Sequence, residues 1–78
     1  MANCLYEVFI LGNSNKTISA LIMHGAVGTE HNVGLIGKYV PSNVGTDISS
    51  VAYNNGNIVI TMTNTYFYTV KVMAIGGI

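Results

Sequence analysis

The stretch that decides the fold is YNNGNIVITMTNTYFYTVKVMAIGGI, residues 53–78. Its Asn-Gly pair at residues 55–56 is a sequence that tight type I′ hairpin turns favour. In residues 58–63, two isoleucines and a methionine alternate with a valine and two threonines, which is typical of a strand with one buried face. Residues 65–75 are largely apolar on both faces and contain one charged side chain, Lys71. The stretch therefore predicts a hairpin followed by a strand with more apolar surface than one small core needs.

The rest of the chain also reads as short strands separated by turn residues. Its nine Gly and nine Asn are poor helix formers. We predict an all-β fold, a small antiparallel β-sandwich or β-prism that is completed by oligomerisation and forms one domain over residues 1–78. The six predicted strands are residues 4–11, 16–24, 35–40, 47–53, 58–63 and 65–75. Residues 25–34 are predicted to form a loop or a wide hairpin, Gly37 a bulge, and Asn64 a bulge or a bend between sheets.

Size and composition favour association with other copies of the chain. A domain of 78 residues is only marginally stable alone. Cys4 is the single cysteine, so no internal disulfide can form. Only 8% of the residues are charged, and half are hydrophobic. Oligomerisation is the remaining source of stability, and a monomer with exposed apolar strands is the alternative.

The first and last strands are the predicted contact surfaces, because both faces of each are largely apolar. Two-sided burial normally requires a covering layer on each face. Since the sequence predicts no helix to provide that layer, we expect a second chain to cover one face. The predicted interface residues are Leu5, Phe9, Leu11, Phe67, Met73, Ile75 and Ile78.

The sequence contains no motif for catalysis or nucleotide binding, and we predict a protein that is not an enzyme and holds no cofactor or metal. Two alternatives use residues that are present. His24, Glu30 and His31 are residue types that bind metals, although they also suit an ordinary loop. Cys4 could act as a nucleophile with a histidine and Asp47, although cysteine is more often buried in a core.

Charge and hydropathy argue against nucleic-acid and membrane partners. The net charge is zero, with three Lys and no Arg, whereas neutralising phosphates needs a basic surface. The N-terminal segment has no positively charged region and Glu7 interrupts its apolar run, so we expect no signal peptide and synthesis in the cytoplasm. No segment reaches the roughly 20 apolar residues of a membrane helix.

Loop amides and tyrosines are the candidates for ligand contact. Tyrosine offers an apolar ring with a hydroxyl, and asparagine offers a donor and an acceptor together. The alternative is that each is only a turn or core residue, and for Tyr66 and Tyr68 we predict a core or interface position. The candidate ligand-binding residues are Asn13, Asn15, His31, Asn32, Tyr39, Asn54 and Asn55.

The segments ISSVAY, NNGN, IVITMTN and YFYTVKVMAI, which follow one another from Asp47 onward, resemble the C-terminal ends of bacteriophage tail-fibre and receptor-binding proteins. The resemblance lies in the order of a Ser-rich strand, an Asn/Gly turn, an Ile/Thr-alternating strand and an aromatic final strand. It implies an all-β tip domain, a homotrimer in the virion, and attachment to a glycan or protein on a host surface. The chain lacks the shaft of the larger fibres and the His-x-His iron sites of some, so no metal role follows. A small lectin-like carbohydrate-binding protein of cellular origin is the alternative.

Overall fold

The chain folds into two antiparallel sheets. The structure, a computed structural model, describes residues 3–12 and 15–77. Four strands form one sheet in the order β3-β2-β1-β6, and the β4–β5 hairpin forms the other sheet. The predicted all-β antiparallel class with six strands is thereby confirmed, whereas oligomerisation stays a prediction. The strands are β1 Cys4–Leu11, β2 Thr17–Val27, β3 Glu30–Tyr39, β4 Ile48–Asn54, β5 Asn57–Met62 and β6 Thr69–Gly77. Within the described ranges, no helix has the length and apolar content that crossing a bilayer requires.

The core lies between the two sheets. Because side chains alternate along a strand, every second residue of β1 and β2 points toward the β4–β5 hairpin, and we call this side of the four-stranded sheet the inner face. Register partners on this face include Val8 with Ala20 and Ile10 with Ile18. The buried core residues are Val8, Ile10, Ile18, Ala20, Ile22, Val44 and Ile48.

The opposite side of the four-stranded sheet, which we call the outer face, has no second layer from the residues that the structure describes. Its apolar side chains are Leu5, Phe9, Leu11, Leu21, Met23, Val27 and Met73, as the strand register shows. Met73 is 47% exposed, and every residue of β6 is exposed. The first and last strands are thus largely apolar on both faces, as the sequence predicts. In the single chain the outer face of β1 has no covering layer among the described residues, and both faces of β6 are exposed.

The tight turn predicted after β4 is confirmed. Asn55 has a φ of 49° and Gly56 a φ of 87°, and type I′ turns require a positive φ at both central residues. Glycine and asparagine tolerate that conformation at the least steric cost. This turn sets the register of the β4–β5 hairpin.

The prediction of a loop or wide hairpin at residues 25–34 is wrong. β2 continues to Val27, β3 begins at Glu30, and only two residues separate them. Gly28 has a φ of 62°, which suits the first central position of a type II′ turn. The glycines that suggested a loop, Gly25 and Gly34, lie inside the paired strands.

The predicted bulge near Gly37 falls one residue earlier. Leu21 pairs with Gly37 and Ile22 with Leu35, so Ile36 is the extra residue in β3. The ladder between β1 and β6 has a similar shift beside Ile75.

The predicted start of the last strand at residue 65 is also wrong. β6 begins at Thr69, whose partner Leu11 is the last residue of β1, so the preceding residues have no strand to pair with. Residues 65–68 instead cross from the two-stranded sheet to the four-stranded sheet after a bend at residues 63–64. The sequence leaves Asn64 open between a bulge and a bend between sheets, and it lies in the bend.

Candidate functional site

The turns of the β2–β3 and β4–β5 hairpins lie close together, and we call this part of the molecule the hairpin end. The His31 ring from β3 stacks on the Tyr53 ring from β4, with centroids 3.9 Å apart and an interplanar angle of 4°. The side-chain oxygen of Asn3 accepts a hydrogen bond from the backbone amide of Ala26 at 2.9 Å. The ring stack joins the two hairpins, which belong to different sheets, whereas the Asn3 contact ties the residue before β1 to β2.

The structure places four of the predicted ligand-binding residues at the hairpin end. His31 is half-buried, whereas Asn32, Asn54 and Asn55 are exposed. The other two that the structure describes, Asn15 and Tyr39, lie at the opposite end of the four-stranded sheet. Asn15 precedes the start of β2, and Tyr39 is the last residue of β3 and pairs with Ser19. The seventh, Asn13, lies outside the described residues.

His24 and His31 form a hydrogen-bonded pair of imidazoles. The distance from His24 Nε2 to His31 Nδ1 is 2.8 Å, so one ring donates and the other accepts. His24 is only 6% exposed, and its Nδ1 is buried with no hydrogen-bond partner among the described residues. The expectation of ordinary loop residues is wrong for both, because each lies in a paired strand.

The two catalytic or metal-binding alternatives find little geometric support. No group of three or more His, Cys, Asp or Glu among the described residues could hold a metal ion. The Cys4 side chain is fully buried and pairs in register with His24. Asp47 instead accepts a hydrogen bond from Lys38 Nζ at 2.7 Å, and Lys38 pairs with Ala20, four residues along β2 from His24. Asp47 therefore does not complete a triad with Cys4 and His24.

A cleft of about 310 Å³ opens between the two sheets. The β4–β5 hairpin packs against the four-stranded sheet through contacts between β4 and β3. The cleft therefore lies on the other side of the molecule, where β5 and β6 are the edge strands of their sheets. Burial raises the pKa of the Tyr6 hydroxyl in its lining, and electrostatic and hydrogen-bond interactions with the neighbouring Cys4 add to the rise. The lining residues are Tyr6, Val8, Ile22, His24, Gly56, Asn57, Ile58, Ile60 and Val72. Sequence reasoning missed this cleft, since a gap between sheets leaves no local signal.

Residues 64–68 are held against the loop before β4 by side-chain hydrogen bonds. The Tyr68 hydroxyl lies 2.8 Å from the Thr46 hydroxyl and donates to the carbonyl of Asn64 at 2.7 Å. The Asn64 amide donates to the Gly45 carbonyl and to the Tyr66 hydroxyl at 3.1 Å. Both tyrosines are thus anchored by their hydroxyls, and Tyr68 also packs against the core.

The predicted interface residues divide by exposure. Leu5 and Phe9 are half-buried. The exposed ones are Leu11, Phe67, Met73 and Ile75, at 37%, 103%, 47% and 53%. Ile78 lies outside the described residues. Their role in an interface stays a prediction.

Comparison of the chain with protein-family models, curated proteins and solved structures finds no match. Function is therefore inferred from the geometry of this chain alone.

Proposed function

We propose that this chain is a homo-oligomeric structural and adhesion module of the phage tail-fibre type. Copies associate through the outer face, and the hairpin end contacts a glycan or protein on a host surface. The observation that supports the proposal best is the outer face itself, an apolar side of a sheet with no second layer among the described residues.

Burial of the outer face would contribute substantially to stability. Removing apolar surface from water contributes about 25 cal/mol per Å², so a few hundred Å² per copy is worth several kcal/mol. That is comparable with the whole stability of a small domain. Contiguous apolar patches of this kind usually mark interaction sites.

The charges on the outer face favour a second copy of this chain as the partner. Glu7 pairs in register with Met73, and Lys71 pairs with Phe9, so an acid and a base lie two residues apart near the middle of the face. One copy can therefore set its Glu7 against the Lys71 of another. A partner of one charge sign would leave one of the two unpaired.

The exposed strand β6 supports the same conclusion. It is the last strand of the four-stranded sheet, and both its faces are exposed. An open edge strand presents unpaired backbone groups to other chains and is usually blocked in monomers. Lys71 is its only charged residue.

The hairpin end supports the receptor-binding part of the proposal. Asn32, Asn54 and Asn55 expose amide groups there, and the stacked rings of His31 and Tyr53 hold the two hairpins together. Asn55 lies in the β4–β5 turn, and Asn32 and Asn54 lie in strands close to the turns. Polar groups at turns that a rigid scaffold positions are a usual arrangement of recognition sites.

Light scattering after size-exclusion chromatography tests the assembly. The wild-type chain is expected to have a mass that is a multiple of 8.3 kDa. Met73→Asp places a charge on the outer face and is expected to yield monomers. Val59→Asp is the matched control, since Val59 is exposed on the side of β5 away from the core, and it should keep the wild-type mass. A monomeric wild-type chain at micromolar concentration would refute the proposal.

Binding of fluorescently labelled protein to a panel of bacterial strains and to a glycan array tests adhesion. The double variant Asn32→Ala/Asn54→Ala is expected to lose binding, whereas Tyr39→Ala, at the opposite end, keeps it. Binding on the array identifies a glycan receptor, and binding to cells alone identifies a protein. An assembled protein that binds neither probe would leave only the structural role.

A further inference from the structure

Phe67 is held in an exposed position by its neighbours. Its side chain is 103% exposed, although phenylalanine is normally among the buried residues. Successive side chains of an extended segment point to opposite sides. Because the hydroxyls of Tyr66 and Tyr68 are both anchored toward the loop before β4, Phe67 is directed to the other side, into solvent.

The cleft between the sheets offers a site of suitable size and polarity for this ring. Its volume is about 310 Å³, and a cavity of about 150 Å³ is already large enough to hold benzene. Most of its lining is apolar. Val8 and Ile22 are buried, whereas Ile58, Ile60 and Val72 belong to β5 and β6, between which the cleft opens.

We propose that Phe67 of one copy inserts into the cleft of a second copy. This inference rests on the proposed self-association and names one of its contacts, which is separate from the outer face. An aromatic side chain buries about 150–250 Å² of surface. Aromatic residues that fill a pocket of the partner are typical hot spots of protein interfaces.

The ring cannot fill the cleft of its own chain. Val72, which lines the cleft, follows Phe67 by five residues, or about 16 Å along an extended chain. Phe67 precedes β6 at the Leu11 end of β1, whereas Gly56 and Asn57 place the cleft toward the hairpin end. The contact therefore joins two different surfaces, and such head-to-tail contacts build closed rings or filaments. A ring of three copies would match the trimer that the tail-fibre resemblance implies.

Neither surface opposes the contact electrostatically. Residues 63–69 contain no charged side chain, and among the described residues no Asp, Glu, Lys or Arg lines the cleft. Burying an unpaired charge is costly. Insertion of the ring buries no carboxylate, ammonium or guanidinium group and so avoids that cost.

Substitution of Phe67 tests the inference without disturbing the protomer. Since the side chain is fully exposed, Phe67→Ser is expected to leave the circular dichroism spectrum and the dilute-solution Tm unchanged, and to lower the mass measured by light scattering. Val59→Ser is the control, because it removes another exposed apolar side chain, 41% exposed, that lies on neither the outer face nor the cleft, and it should keep the wild-type mass.

The cleft is tested by Val72→Trp, which fills it from the exposed edge strand. This variant is also expected to have a lower assembly mass by light scattering. Val59→Trp, on the side of β5 away from the cleft, should have the wild-type mass. A 1:1 mixture of Phe67→Ser and Val72→Trp retains one intact ring and one intact cleft. The mixture is therefore expected to form a complex heavier than either variant alone.

The outcomes separate this inference from the proposed function. If the wild type assembles and Met73→Asp dissociates it while Phe67→Ser does not lower the mass, the Phe67 contact is refuted and association through the outer face stands. If both single variants lose mass but their mixture does not recover it, insertion into the cleft is refuted. A monomeric wild type overturns both proposals.

Discussion

Gly12 stands where the chain leaves β1 and passes close to the core. A Cβ atom at this position would lie 2.7 Å from Val44 Cγ2 and 3.3 Å from the carbonyl oxygen of Lys16. Val44 is a buried core residue, only 3% exposed, so it has little room to move. The absence of a side chain at residue 12 thus allows the loop before β4 to seal this end of the core.

Gly12→Ala is expected to destabilise the protein by about 1–3 kcal/mol, the usual cost of overpacking a core. Urea denaturation followed by circular dichroism measures the free energy of unfolding. Gly34→Ala is the control, because no heavy atom lies within 4 Å of a Cβ built there. It should be neutral or stabilise by up to about 1 kcal/mol. Equal stability of the two variants would contradict the close approach of Val44.

The Asp47 carboxylate connects the loop before β4 to β3. It accepts hydrogen bonds from Lys38 Nζ at 2.7 Å and from the backbone amide of Ile48 at 2.6 Å. These two bonds, the one from Lys38 first, lower the pKa of Asp47 below its ordinary value of 3.8. A lowered pKa means that the folded state favours the ionised carboxylate, so the contribution to stability is present above pH 3.8 and is lost as the pH falls through the folded-state value.

Asp47→Asn is therefore expected to lower the Tm at pH 7, and this effect should shrink as the pH is lowered toward 2 and the wild-type carboxylate takes up its proton. Thermal melts of the two proteins across this pH range measure the difference. Lys38→Met removes the same ion pair from the other side, and it should reduce the effect of Asp47→Asn at pH 7. A difference in Tm that stays constant with pH would show that the charge of Asp47 contributes nothing.

Single residues differ in how far the sequence predicts their role. The position of His24 follows from alternation, since Ile18, Ala20 and Ile22 precede it on the buried face, and a stricter use of that pattern predicts its burial. The exposure of Phe67 does not follow from alternation, because residues 65–68 carry a strand pattern without being a strand. It depends on the hydrogen bonds of the neighbouring Tyr68. One joins Thr46, which is remote in the sequence, and the other joins Asn64, which lies in a bend.

At the scale of strands and hairpins, the β2–β3 and β4–β5 hairpins are coupled by the His31 ring. It bonds to His24 of its own sheet and stacks on Tyr53 of the other sheet. Its replacement therefore tests two contacts, which can be separated by the choice of side chain.

His31→Phe keeps a ring to stack on Tyr53 but removes the hydrogen bond, so neither nitrogen of His24 then has a partner among the described residues. An unsatisfied buried polar group costs about 1–3 kcal/mol. His31→Ala also removes the stacking, which is worth about 0.5–1.5 kcal/mol more. Urea denaturation should thus rank wild type above His31→Phe and His31→Phe above His31→Ala, with the exposed Asn32→Ala equal to wild type. Wild-type stability in His31→Phe would mean that the imidazole pair is not a stabilising contact.

The hairpins also show which elements the sequence predicts. The Asn55-Gly56 turn is predicted because two adjacent residues favour the positive φ values that the turn needs. Residues 25–34 are mispredicted because Gly25 and Gly34 suggest a loop, although the long-range ladder between β2 and β3 includes both. Local composition reports backbone preference, and here cross-strand pairing overrides it.

At the scale of the whole molecule, the two-sided apolar character of β1 and β6 is readable from the sequence, whereas the sheet order is not. β1 lies inside the four-stranded sheet and β6 at its edge, a distinction that depends on pairing between the two ends of the chain. The candidate site at the hairpin end was only partly predictable for the same reason. His31 and Asn55 are both named as candidates, but only the folded chain brings their hairpins together.

If the outer face needs a second copy, protein concentration should control thermal stability. Association of folded copies stabilises them by mass action, and for a domain of this size about 1 kcal/mol shifts the Tm by roughly 4–8 °C. Over a hundredfold range of concentration, the wild-type Tm is expected to rise by about 5–10 °C. Differential scanning fluorimetry across that range measures the slope.

Met73→Asp should have a Tm that does not depend on concentration and lies near the wild-type value at the lowest concentration. Its side chain is about half exposed in the single chain, so the substitution chiefly affects the contact between copies. Val59→Asp should keep the wild-type slope, since it adds the same charge to the exposed side of β5 instead of to the outer face. A wild-type Tm that does not change with concentration would mean that the two sheets of one chain are stable by themselves, and the open apolar face would then need an explanation other than association.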